Sequence, residues 1–100
     1  MSYQDFETDG RRLGILRILS RRNLFTTNEY SLTDELQQAY GHHVSRDRLQ
    51  GDLAWLEEQG LVITQQPRAG WLATLTSRGN DVASGAAQVP GVARPRPGVL

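Results

Sequence analysis

Between Asn28 and Gly79 the chain sets out two capped helices, a glycine turn between them and a pair of short strands, and few folds accommodate that order. The second helix of the pair is the better defined. Ser45 is a natural N-cap, Val44 before it can fold back as a hydrophobic staple, and Gly60 ends the helix. Leu49, Leu53 and Leu56 fall at i, i+4 and i+7, so one stripe faces a core. At about 100° per residue the opposite face carries Asp47, Gly51, Ala54 and Glu58, flanked by Arg46, Arg48, Gln50 and Trp55.

The preceding helix places Leu32, Leu36, Ala39 and Tyr40 at helical spacing and stops at Gly41. Thr26-Thr27-Asn28-Glu29 has capping-box spacing, with Thr26 as cap and Glu29 reaching back, although Asn28 or Ser31 could cap instead. Residues 23–27 read as a loop. After Gly60, the runs Leu61–Gln65 and Trp71–Leu75 have strand character and meet across a turn holding Pro67, Arg68 and Gly70.

A first helix is expected from near Gln4 to Ser20, its apolar face formed by Leu13, Ile15, Leu16, Ile18 and Leu19 with Phe6 one repeat earlier. Gly10 and Gly14 inside it each cost about 1 kcal/mol relative to Ala, and Gly14 would let another backbone come close. Arg11, Arg12, Arg17, Arg21 and Arg22 make its C-terminal half basic. Thr76 caps a short last helix with Val82, Ala83 and Ala86 inward, weakened by Gly79 and Gly85. The fold class is α+β, mainly α: a three-helix core, a small β-hairpin and a short C-terminal helix over residues 1–88. Residues 89–100, rich in Pro, Gly and Arg, read as a flexible extended tail.

Eleven basic and eleven acidic residues cancel, so no whole-chain field draws the protein to phosphate. All the basic residues are Arg, which suits bidentate contacts, but a GC-rich gene gives the same bias and is the preferred explanation. Without cysteine there is no disulfide framework, and the pair His42-His43 lacks companions for a metal site. No apolar run approaches the ~18 residues of a membrane span, and the first residues lack the pattern of a signal peptide. A cytoplasmic location, no cofactor and no catalytic constellation are the expectations. A domain of this size is marginal alone, so a homodimer is expected to help it.

The order helix, turn, helix, hairpin resembles the winged helix-turn-helix superfamily of bacterial regulators, broadly the ArsR/MarR-like kind. The stretch from Asp52 to Val62, with Glu58-Gln59-Gly60-Leu61-Val62, and then Leu75-Thr76-Ser77-Arg78-Gly79 carry the likeness. Almost the whole chain is similar to small proteins of Mu-like transposable phages and prophages. That similarity rests on Met1 to Phe6, on Gly41 to Arg48, on Asp52 to Val62 and on Val89-Pro90-Gly91-Val92. The resemblance implies a phage accessory protein. Double-stranded DNA is the implied partner, through a helix beginning at Ser45 laid in the major groove.

The candidate contacts are Thr27, Asn28, His43, Ser45, Arg46, Arg48, Gln50 and Arg68. Arg46 and Arg48 would reach guanine or phosphate, or else stay solvated beside Asp47 or Asp52. Asp47, Glu57 and Glu58 would be repelled by phosphate and suit a phage protein partner at least as well.

Overall fold

In a computed structural model, residues 2–96 are described. They form four helices and one three-stranded antiparallel sheet, in the order α1 (Tyr3–Ser20), β1 (Thr26–Asn28), α2 (Glu29–Tyr40), α3 (Arg46–Glu58), β2 (Val62–Gln65), β3 (Leu72–Leu75) and α4 (Ser77–Ser84). The expected helix, turn, helix and hairpin are therefore all present, with strand limits one residue shorter at their starts.

Helix α1 runs through the middle of the molecule. Ser2 caps it in a capping box with Asp5, and Leu13, Ile15, Leu16, Ile18 and Leu19 are all buried. A Cβ on Gly14 would lie 3.0 Å from Leu36 Cδ2 and 3.6 Å from the Tyr40 ring. The close approach at that glycine is thus by α2 side chains rather than by backbone. Leu32 and Leu36 of α2, the Leu49, Leu53 and Leu56 stripe of α3, and Leu61, Val62, Ala73 and Leu75 complete the core.

The loop expected over residues 23–27 contains a strand. Thr27 pairs with Ala73 and Asn28 with Leu72, which puts β3 between β1 and β2. Thr26 joins this ladder instead of capping α2: its hydroxyl lies 2.9 Å from the Ala73 carbonyl and 2.8 Å from the Thr74 hydroxyl. The cap falls to Asn28, whose side chain accepts from the Ser31 N–H at 2.8 Å. An unpaired edge on β3 offers three residues of ladder, more than one capping bond can match.

Helix α3 begins as read, with the Arg48 N–H on Ser45 Oγ at 3.1 Å. It ends on Gly60 at φ 76°, where the Leu61 N–H reaches back to the Leu56 carbonyl at 3.0 Å. That left-handed closure turns buried Leu61 into the core and starts the hairpin in register.

Past α4 the chain departs from expectation. Ala86 lies beyond Gly85 and is exposed, and Ala87 packs on the core in its place. Val89 and Val92 are buried, the Ala93 N–H donates to the Asp9 carbonyl at 3.1 Å, and Arg12 Nη1 donates to the Gly91 carbonyl at 3.1 Å. Gly91 sits so close to Trp55 that a Cβ would meet its indole at 2.7 Å. The packed chain therefore continues past residue 88, because the spaced valines supply apolar contacts that Pro and Gly composition alone conceals. The end of the tail, residues 97–100, lies outside the described residues.

Candidate nucleic-acid interface

The first residues of α2 and of α3 come together beside the hairpin, and a buried carboxylate joins them. Glu29 opens α2, and its side chain is 1% exposed. One carboxylate oxygen accepts the Trp71 N–H at 2.5 Å and the other accepts Arg46 Nε at 2.5 Å. Gln50 Nε2 donates to both oxygens, at 3.2 and 3.3 Å. The backbone adds the Glu29 N–H on the Trp71 carbonyl at 2.9 Å. One side chain thus ties α2, α3 and the start of β3. Burial pushes the Glu29 carboxyl up, but the Trp71 N–H, Arg46 and Gln50 together outweigh it and hold the group below its ordinary range.

That shift has a sign that can be checked. A carboxyl depressed in the folded state stabilises the fold above its unfolded pKa, and the contribution disappears as pH falls through the folded value. Acidification below the ordinary carboxylate range is expected to lower the melting temperature. Glu29→Gln should flatten that part of the profile, read by circular dichroism melts at stepped pH. Parallel profiles for the two proteins would contradict the assignment.

The candidate residues do not form one cluster. Asn28, Arg46 and Gln50 gather around Glu29, but Asn28 Oδ1 is engaged as the cap and Gln50 as a carboxylate donor. Arg46 is paired with Glu29, not with Asp47 or Asp52, and its guanidinium lies 5.6 Å from the Tyr30 ring centre. Thr27 is half-buried in β1, opposite buried Ala73. Arg48 and His43 instead line a cleft with Tyr3, Glu7 and Arg11 on the α1 side, because two helical steps of 100° separate Arg48 from Arg46. Ser45 is exposed with its oxygen used as the cap, and Arg68 is exposed at the hairpin tip.

Sequence reasoning missed two members of this surface. Tyr30 is 52% exposed between the helix and the hairpin, and its ring lies where a Gly70 Cβ would stand, at 2.8 Å. Glu29 was legible only as a capping partner, since nothing local tells a buried acid from a first-turn acid.

Several of the other charged side chains have partners within the chain. Asp52, buried in α3, accepts from Arg11 Nε, from Arg11 Nη2 at 3.2 Å and from Arg12 Nε at 3.4 Å. Arg17 donates to the Ala83 carbonyl, Arg21 to the Tyr40 hydroxyl, and Arg22 pairs with Glu35 at 3.2 Å. Arg11 and Arg12 thus share one carboxylate and Arg22 has another, whereas Arg17 and Arg21 meet neutral oxygens and keep their charge. Glu57 is also occupied: the Thr64 N–H at 2.8 Å and the Thr64 hydroxyl at 2.7 Å hold its carboxyl below the usual range. Among the described residues no group of three or more His, Asp or Glu is placed to hold a metal ion. No helix among them is long and apolar enough to cross a membrane.

No model of a known protein family matches the chain. Among solved structures it is similar to RosR of H. salinarum, with a TM-score of 0.64 and 26% identity over 73% of this chain and 64% of RosR. A complex structure, RosR-S1, gives a TM-score of 0.62 over 72% of this chain. The chain thus spans just under two thirds of RosR. An uncharacterized protein of Haemophilus influenzae is 39% identical over 79 residues, which are 78% of this chain and 76% of that one. The uncharacterized protein gp26 of Escherichia phage Mu is 53% identical over 93 residues, which are 93% of this chain and 95% of gp26. With identity of that order along nearly the full length of both, the chain belongs to the family of phage Mu gp26.

Proposed function

We propose that the chain is a small winged-helix protein that binds double-stranded DNA. In this reading it is a non-enzymatic regulator or DNA-handling factor of a Mu-like phage or prophage, ArsR/MarR-like in its winged helix and acting in the bacterial cytoplasm. The observation that carries the reading is the exposed start of α3, with Arg46 outward and linked through Glu29 to Trp71 at the foot of the hairpin, and Arg68 exposed in its turn. Helix N-termini favour phosphate oxygens, and α2 and α3 bring two of them to one surface. The likeness to RosR, whose solved structures include complexes, supports the same reading.

A homodimer fits this function. A groove of about 690 Å³ on the side of α1 is lined by Phe6, Leu13, Tyr40 and Pro95, with Asp9 and Arg94 at its edges. Its opposite charges suit a second copy related by a two-fold axis.

Titration of a duplex from a Mu-like genome by fluorescence anisotropy tests both points. Two chains per site are expected, with affinity falling steeply as salt rises. Arg68→Ala should weaken all duplexes about equally and reduce the salt slope by about one. Arg48→Ala should do less, because Arg48 faces α1. One chain per duplex would remove the dimer, and an unchanged slope would remove Arg68 from the interface.

A second reading, a protein-interaction module in phage packaging or assembly, is favoured by one feature. Leu24 and Phe25 stand in left-handed backbone at φ 57° and 58°, exposed by 78% and 48%. Ile63 is exposed on the outer face of the neighbouring sheet. Salt-insensitive or absent DNA binding, with retention on packaging proteins through Leu24 and Phe25, would move the assignment there.

A further inference from the structure

We propose that Glu29 is a positioning residue that aims the Arg46 guanidinium at a guanine edge in the major groove. The inference rests on the DNA-binding reading and adds to it which base is read and by what device.

A guanidinium has five N–H donors, and the Nε donor of Arg46 is taken by Glu29 at 2.5 Å. Among the described residues its two terminal nitrogens have no hydrogen-bond partner. The anchor is fixed: Glu29 is buried and is held from β3 by the Trp71 N–H and from α3 by Gln50. The Tyr30 ring centre lies 5.6 Å from the guanidinium carbon, within reach of a cation–π attraction. What remains free are the four terminal N–H groups, two of them parallel along the outer edge, on a half-exposed side chain at the first position of α3.

That edge matches two in-plane acceptors, as O6 and N7 of guanine provide. Phosphate oxygens can also receive it, but charge argues for the base. Glu29 neutralises Arg46, and a neutralised cation adds little to the counterion release that drives phosphate binding. Its N–H groups keep their direction nonetheless. The pair gives up general attraction and retains geometry, which is what discrimination between bases requires. Lysine in the same place would offer a point charge without a fork.

Selection of binding sites from a random duplex pool, followed by affinity measurement on site and non-site duplexes, tests the proposal. The natural chain is expected to retain a guanine at one position per half-site, with about ten- to a hundredfold loss when adenine replaces it. Arg46→Lys should abolish that preference. Glu29→Gln should cut the discrimination about tenfold while affinity for non-site DNA rises, because a positive charge is released. A purely structural role for Glu29 would lower both affinities together, and that result would overturn the proposal. So would an Arg46→Lys protein that still selects guanine, or an Arg46→Ala protein that loses affinity equally on every sequence, the mark of a phosphate contact. Because Arg46 is half-exposed, its variants remain informative if Glu29→Gln folds poorly. A natural chain that binds no duplex would remove the DNA reading itself, whereas guanine preference unaltered by Glu29→Gln would remove this inference alone.

Discussion

Asp52→Ala is expected to lose about 3–5 kcal/mol of folding stability, because it strands a buried arginine. The side chains of Arg11 and Asp52 are 8% and 5% exposed, and Arg12 leans on the same carboxylate. Breaking such a pair from one side leaves a charge that only the narrow exposure of Arg11 lets water reach. A domain of this size has about 5–15 kcal/mol in total, so the variant would sit near the limit of folding. The melting temperature should fall by about 15 °C or more. Removing the pair from both sides is a different experiment. Arg11→Met with Asp52→Leu takes away that pair and fills the volume, Arg12 keeps the Gly91 carbonyl and the Trp55 ring, and at least half of the loss should be recovered. A urea titration on the two proteins decides the matter. A loss below about 1 kcal/mol for Asp52→Ala would mean that Arg11 finds solvent or another partner.

Gly79→Ala is the second large effect, and it runs against helix propensity. Alanine in the interior of a helix is favoured over glycine by about 1 kcal/mol. At Gly79 a Cβ would stand 2.1 Å from the Leu61 carbonyl oxygen and 2.7 Å from Leu75 Cδ1. The Leu61 carbonyl is backbone and already accepts the Thr76 N–H at 3.1 Å, so it cannot turn aside. Helix α4 would have to lift from the hairpin, at about 3 kcal/mol. A net loss of about 2 kcal/mol is expected by chemical denaturation. Gly51→Ala is the control: nothing lies within 4 Å of its Cβ position, and a gain of up to about 1 kcal/mol should follow. If the two alanines behaved alike, the close contact at α4 would be wrong.

These cases show which parts of the fold could be read in advance. Helix α3 was legible because cap, stripe and terminal glycine all agree locally, from Ser45 through Leu49, Leu53 and Leu56 to Gly60. Strand β1 was not, since three residues carry no period and their pairing depends on β3, about 46 positions away. Gly79 read as a helix breaker; its reason is the Leu61 carbonyl, which no local pattern contains. Asp52 was closer to legible, being one helical turn from Leu49 and therefore on the buried stripe. The candidate site fared similarly. Arg46 was identified, but its anchor lies 17 positions away in another helix, and Arg48 was grouped with it although the helix turns the two apart. Residue type suggested the donors, and only the packing of three elements sets their aim.

The segment through Gly91 makes α1 and the chain after α4 depend on each other. Arg12 and Gly91 meet across 79 positions, and Arg12 also lies 3.9 Å over the Trp55 ring. A nascent chain cannot close this seam until the segment through Ala93 has left the ribosome. The back of α3 stays uncovered until then, and the long loop that must close makes the step slow compared with formation of the helices. Deleting the segment from Val89 to Ala93 opens the same joint, because it removes the bonds to Asp9 and Arg12.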